Sequence, residues 1–127
     1  MWSKPMVRVG IDAVEVSRIR NLCQRYGEQF LRRLFTPNEI AYARAARGDR
    51  CFERLSARFA VKEALVKAAG RSLPFTAIEV NQTPSGRPIV SCSLIEGNIE
   101  ISLSHTESLA FACVLLEEAT SSPRPVE

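Results

Sequence analysis

Histidine occurs once in this sequence, at His105, and aspartate only twice, at Asp12 and Asp49. One histidine cannot complete a Cys/His zinc set, and no C-x-x-C pair is present to anchor one. The four cysteines, Cys23, Cys51, Cys92 and Cys113, stand far apart and mostly within apolar stretches. There a free thiol behaves as a small hydrophobe, and reduced cysteines in a reducing compartment are expected. No apolar run approaches the ~18 residues of a membrane span, and the N-terminal segment carries no signal-peptide core. The chain is therefore expected to be cytoplasmic, with no membrane attachment. Glycine-rich phosphate loops of the Walker or dinucleotide type, internal repeats and low-complexity tracts are also missing.

What is present is a length of 127 residues with 46% hydrophobic and 24% charged composition, the profile of one globular domain. A chain of this size buries roughly two-thirds of its unfolded surface, enough for a core without staples. The net charge of +3 is unevenly spread: residues 1–62 hold 13 Lys/Arg against 6 Asp/Glu, whereas residues 63–127 hold 4 against 8. Such a basic half points to an anionic partner, either phosphate-bearing or an acidic protein.

Residues 7–11 read as a strand running into Asp12, and residues 14–26 as a helix ended by Gly27. Val16, Ile19, Leu22, Cys23 and Tyr26 form the apolar stripe of that helix, with Arg18 and Arg25 on another. Residues 30–35 read as a further short helical piece. Thr36-Pro37-Asn38-Glu39 is a capping box with proline at the first helical position, opening a helix expected to reach about Arg47. A longer helix over 51–69 stops at Gly70, and Ala57, Ala60, Ala64 and Ala68 permit close packing along it. Beyond Gly70 the period changes to two. Strands are predicted at 77–81 and 89–93, joined by a turn at Pro84-Ser85-Gly86, and then at 99–104 and 109–116. The last is apolar on both faces and therefore central. The order predicts an α+β domain over residues 1–118: an N-terminal strand and helices, then an antiparallel sheet of about four further strands. Residues 119–127, rich in Ser and Pro, are expected to be a disordered tail.

Three places carry candidate chemistry. Asp12, where a strand meets a helix, suits either a helix N-terminal carboxylate or a hard-cation ligand. Glu63 and Lys67 lie one helical turn apart on the stripe of Phe59. A surface ion pair would look the same, but on a partly buried, alanine-rich face the two charges need a metal or a phosphate. His105, within Ser102-Leu103-Ser104-His105-Thr106, ends an alternating strand among hydroxyls and suits either a structural role or a ligand. Magnesium typically takes one or two carboxylates plus substrate phosphates, which Asp12 and Glu63 would satisfy.

Taken together, Gly10-Ile11-Asp12-Ala13-Val14-Glu15, Arg58-Phe59-Ala60-Val61-Lys62-Glu63-Ala64 with Lys67-Ala68, and Ser102-Leu103-Ser104-His105-Thr106 resemble the holo-[acyl-carrier-protein] synthases. These are the small, single-domain branch of the 4′-phosphopantetheinyl transferases. Phe35-Thr36 with Glu39 fits between the blocks, and the resemblance spans residues 7–117. It implies Mg²⁺-dependent transfer of the 4′-phosphopantetheine arm of coenzyme A to a serine of an apo acyl carrier protein, releasing adenosine 3′,5′-bisphosphate. By the same resemblance Asp12 and Glu63 hold the Mg²⁺, Glu63 orients or deprotonates the serine directly or through water, and Lys67 touches the phosphates. Arg58 matches an arginine that binds the coenzyme A 3′-phosphate, with Arg50 assisting. His105, Thr106, Gly86, Arg87 and Pro88 resemble positions near the nucleotide. Arg18 and Arg25 match basic positions that grip the acidic helix of the carrier protein. The resemblance further implies a homotrimer with active sites between subunits. The chain departs from the family after Lys67-Ala68, where Gly70-Arg71-Ser72-Leu73-Pro74-Phe75 replaces a longer Gly-x-Gly-rich loop. That loop bears on coenzyme A contact and on the preference among acylated donors.

Two other readings compete. A non-catalytic coenzyme A or carrier-protein binding module is motivated by the short loop. A nucleic-acid binder is motivated by the arginine excess, but interleaved aromatics and a recognition motif are lacking, so no nucleic-acid partner is expected.

Overall fold

A side chain at Gly10 would have nowhere to go: its Cβ would stand 1.9 Å from the carbonyl oxygen of Ala64 and 3.0 Å from the amide nitrogen of Ala68. This strand-on-helix approach organises the fold. In the computed structural model, which describes residues 6–119, Gly10 belongs to β1 (Met6–Glu15), while Ala64 and Ala68 belong to the long helix α3 (Arg50–Ala69). Between them come α1 (Val16–Leu34) and α2 (Pro37–Arg44). A single 3₁₀ turn (Phe75–Ala77) follows, then β2 (Ile78–Gln82), β3 (Pro88–Cys92), β4 (Gly97–His105) and β5 (Leu109–Glu118). The expected tail at 119–127 lies outside the described residues except for Ala119.

β5 is central, hydrogen-bonded antiparallel to β1 on one side and to β4 on the other. The α+β class is as expected, but the four later strands do not form one sheet. β2 and β3 pair with each other as a separate hairpin, closed by Thr83 N–H donating to the Arg87 carbonyl at 2.8 Å and by Gly86 at φ +90°. β1 runs past its expected end because every residue through Glu15 finds a partner on β5, Glu15 facing Leu109. Asp12 therefore lies inside a strand, and α1 has no acidic residue in its first turn, so the helix-dipole reading of Asp12 falls away. Gly27 bends α1 at φ 69°, ψ −148°, after which the chain resumes as helix, uniting the two expected pieces in one kinked element. α2 stops at Arg44, short of the expected Arg47, as the chain turns through Gly48 at φ +59° into α3.

One face of the three-stranded sheet is covered by α3. Val14, Ala112, Val114 and Leu116 meet Ala60, Val61, Ala64, Leu65 and Ala68 in the core. Full burial of each Leu or Val side chain contributes roughly 1.5–3 kcal/mol. The other face is bare: Val7, Val9 and Ile11 of β1 and Phe111, Cys113 and Leu115 of β5 are all exposed. This explains why β5 is apolar on both faces, and a contiguous patch of this kind marks an interaction surface.

The capping box forms as expected. Glu39 N–H donates to Thr36 Oγ1 at 3.3 Å and Thr36 N–H donates to Glu39 Oε1 at 2.9 Å. Glu39 also does long-range work, its Oε2 accepting from Val80 N–H at 2.8 Å and its Oε1 from Lys62 Nζ at 2.7 Å. Lys62 Nζ donates further to the carbonyls of Leu34 and Phe75, at 2.7 and 2.8 Å. One buried ammonium thus ties the end of α1, the start of α2, α3 and the 3₁₀ turn together. Burial pulls the Lys62 amine below its ordinary range, and Glu39 opposes that pull.

All four cysteines are free thiols. Cys23 lies in the core and is pushed up to about 11 by burial, whereas Cys113 is exposed on the bare sheet face. Among the described residues no helix is long and apolar enough to cross a membrane.

Candidate active site

Alternate residues of β1, namely Arg8, Gly10, Asp12 and Val14, face α3. With Gly10 seated on Ala64, the following turn of the helix lies over Asp12. Lys67 Nζ donates to Asp12 Oδ1 at 3.1 Å and to the Ile11 carbonyl at 3.0 Å. The Asp12 side chain is 14% exposed and that of Lys67 56%, so the ammonium covers the carboxylate from the solvent side. Lys67 reaches across to β1 rather than back along its own helix to Glu63. Glu63, next to Ala64 and one turn before Lys67, is half-buried and has no hydrogen-bond or ion-pair partner among the described residues. A half-buried carboxylate without a partner is costly unless something binds it. No group of three or more metal-ligating side chains is assembled among the described residues. Two carboxylates fit an ion such as Mg²⁺, which keeps waters and fills its other positions with phosphate oxygens.

His105 ends β4 directly opposite Ala110, which also faces Val14 of β1. His105 and Asp12 therefore share the α3 side of the sheet, on its two outer strands. His105 Nδ1 stands 3.0 Å from Glu53 Oε1, in the first turn of α3. Glu53 also lines a polar cavity of about 350 Å³ with Arg20, Asp49, Arg50 and Glu107. Arg20 Nε is buried there without a hydrogen-bond partner, and Asp49 is 3.9 Å away.

The other expected site residues divide by location. Arg50 faces the polar cavity. Arg58 is only 4% exposed and lies between α3 and α2, its guanidinium 4.2 Å from the Tyr42 ring centre, while that of Arg54 stands 4.0 Å from the same ring centre. Its Nε has no hydrogen-bond partner, and burial pulls its basicity down. Thr106 Oγ1 accepts from the amides of Ser108 and Leu109, at 3.2 and 3.1 Å, and so closes the β4–β5 turn. Gly86, Arg87 and Pro88 lie at the end of the separate hairpin, where Arg87 pairs with Glu100 at 3.1 Å. They make no hydrogen bond or ion pair with Asp12, Glu63 or Lys67. Arg18 and Arg25 are exposed on the first half of α1. Sequence reasoning missed Arg20 and Glu53, because neither belongs to a motif and Glu53 meets His105 across 52 positions.

The sequence matches the model of the 4′-phosphopantetheinyl transferase superfamily over residues 8–114. A holo-[acyl-carrier-protein] synthase of Koribacter versatilis is 39% identical over 122 residues, covering 86% of this chain and 96% of the relative. Among solved structures, the Bacillus anthracis holo-(acyl-carrier-protein) synthase in complex with CoA (3′,5′-ADP) superposes with a TM-score of 0.81 at 35% identity, covering 91% of this chain and 99% of that one. The Helicobacter pylori holo-[acyl-carrier-protein] synthase in complex with coenzyme A gives 0.75 at 27% identity, covering 86% and 99%.

Proposed function

This chain belongs to the 4′-phosphopantetheinyl transferase superfamily, and from that premise we propose that it is a holo-[acyl-carrier-protein] synthase of the cytoplasm. Its substrates are coenzyme A and an apo acyl carrier protein. The observation that carries this reading is Lys67 bonded across to Asp12 beside the unpartnered Glu63. The serine oxygen of the carrier attacks the β-phosphorus of the coenzyme A diphosphate. A phosphodiester bond forms, the bond to adenosine 3′,5′-bisphosphate breaks, and the serine gives up its proton.

Asp12 and Glu63 are the residues that would hold Mg²⁺, which when bound supplies neutralisation of the diphosphate charge. Lys67, hinged over Asp12, offers a second positive group to the same phosphates. Glu63 orients the serine or receives its proton, directly or through water. Toward the start of α3, Arg50 and His105 take the nucleotide-side phosphates, with Arg58 behind them against Tyr42. Thr106 holds the turn that presents His105. Arg18 and Arg25 offer exposed guanidinium groups to the acidic carrier protein.

The bare face of Val7, Val9, Ile11, Phe111 and Leu115 supports a homotrimer, in which further copies of this chain cover it. Gly86, Arg87 and Pro88 would then serve the site of a neighbouring copy. Mass spectrometry of an apo acyl carrier protein incubated with this protein, coenzyme A and Mg²⁺ tests the reading. Gain of one phosphopantetheine arm, lost with EDTA and in Asp12→Ala and Glu63→Ala, is the expected result. Binding of coenzyme A with no gain on any carrier protein would instead support a non-catalytic module.

A further inference from the structure

His105 is gripped from one side only. Its Nδ1 stands 3.0 Å from Glu53 Oε1, while the imidazole remains 38% exposed and the Glu53 side chain only 15%. The carboxylate sits in the first turn of α3, where free helix N–H groups favour a negative charge. Resting on the transferase reading above, we infer that Glu53 is a positioning residue, fixing the ring of His105 so that Nε2 meets a phosphate of the bound coenzyme A.

The argument is one of proton placement. A carboxylate is acceptor-only, so the imidazole nitrogen facing it carries the hydrogen. Nδ1 is therefore protonated in both the neutral and the cationic ring, and Nε2 is the atom that gains or loses a proton. A neutral imidazole left to itself in water prefers its hydrogen on Nε2. Glu53 reverses that preference and holds the ring plane. A phosphate oxygen at Nε2 is met by a charge-assisted hydrogen bond from the doubly protonated ring, whose second proton comes from solvent, with Glu53 balancing the positive charge behind.

A mere staple between β4 and α3 would account for the bond but not for its surroundings. Glu53 lines the polar cavity of about 350 Å³ into which Arg20 and Arg50 also project. Arg20 Nε is buried there with no hydrogen-bond partner, its ion-pair partner Asp49 standing back at 3.9 Å. Asp49 and Glu107 are the other charged groups lining it, and neither hydrogen-bonds His105.

Because the chain contains one histidine, the tag-free protein gives a single set of imidazole signals. Long-range ¹H–¹⁵N correlation at a pH where the ring is neutral reads its tautomer directly. The wild type is expected in the Nδ1–H form, and Glu53→Ala should shift the signals toward the Nε2–H form. Glu53→Gln, which keeps an acceptor, should hold the tautomer. In the transfer assay Glu53→Ala should raise KM for coenzyme A by ~10-fold to ~100-fold, more than it lowers kcat. Glu53→Gln should recover part of that loss.

An unchanged tautomer in folded Glu53→Ala, or an unaltered KM in both variants, would overturn the role of Glu53. A wild type that neither shifts its imidazole signals with coenzyme A nor transfers the arm would overturn the functional reading beneath it instead. That outcome is recognised without reference to the variants.

Discussion

Lys62 Nζ and Glu39 Oε1 lie 2.7 Å apart with neither side chain exposed to water, one residue along the helix from the carboxylate of Glu63. Removing either partner leaves a buried, uncompensated charge, which costs ~3–5 kcal/mol. Lys62→Ala and Glu39→Ala should each lower the melting temperature by about 10 °C or more. The double variant should lose far less than the two single losses combined. A thermal-denaturation double-mutant cycle checks this, and additive losses would show that the two charges do not act as a pair.

Gly10→Ala tests the contact between β1 and α3. The new methyl meets backbone atoms that cannot rotate away, 1.9 Å from the Ala64 carbonyl oxygen. Overpacking of this kind costs ~1–3 kcal/mol, and the rigid backbone puts it at the top of that range. The helix must lift from the strand, parting Lys67 from Asp12, so transfer activity should fall more than stability. Urea denaturation beside the mass-spectrometric assay separates the two effects.

The bare sheet face makes its own prediction. Phe111→Glu places a carboxylate within the apolar patch without disturbing the core, since Phe111 is exposed in the single chain. Sedimentation velocity should show wild-type trimers and variant monomers, with transfer activity falling alongside. A Phe111→Glu variant that remains trimeric would exclude this face as the subunit contact.

Acid stability should report on Glu118. Arg71 donates to both of its carboxylate oxygens, at 3.2 and 2.8 Å, and holds the carboxyl below the usual 4.5. A depressed carboxyl adds stability that is complete above its ordinary value and is lost as pH falls through the lowered one. Glu118→Gln should therefore lower stability across the neutral range and flatten the decline below about pH 4.5, so that variant and wild type converge in acid. Urea midpoints measured across the acid range would show it.

Local signals carried much of this fold. Thr36 and Glu39 announced the start of α2 because a capping box is written within four residues, and Gly70 announced the end of α3 for the same reason. The alternation of Ile99, Ile101 and Leu103 gave β4 its half-buried, core-facing side, and the apolar run of β5 placed it centrally. The separation of β2 and β3 was not legible, since alternation says that a strand has two faces but not which edge it joins. At the site, Asp12, Glu63 and Lys67 could be singled out by residue type. Their pairing could not, because Lys67 had a nearer partner in sequence, one helical turn away at Glu63, yet chose Asp12, 55 positions away, through the fit of Gly10 on Ala64. Glu39 looked complete as a cap, and nothing local revealed that its second oxygen serves Val80.

Glu53, Glu63 and Lys67 ride on the same helix, and this turns α3 into a ruler. With a rise of about 1.5 Å per residue, the span from Glu53 to Lys67 is about 21 Å. An unbroken helix cannot stretch, so the distance between the histidine-bearing end and the aspartate-bearing end is set by residue count alone. A ligand gripped at one end arrives at the other only if its own length matches. Discrimination by length therefore needs no dedicated gate, and inserting or deleting a single residue within this stretch would miscalibrate both ends at once.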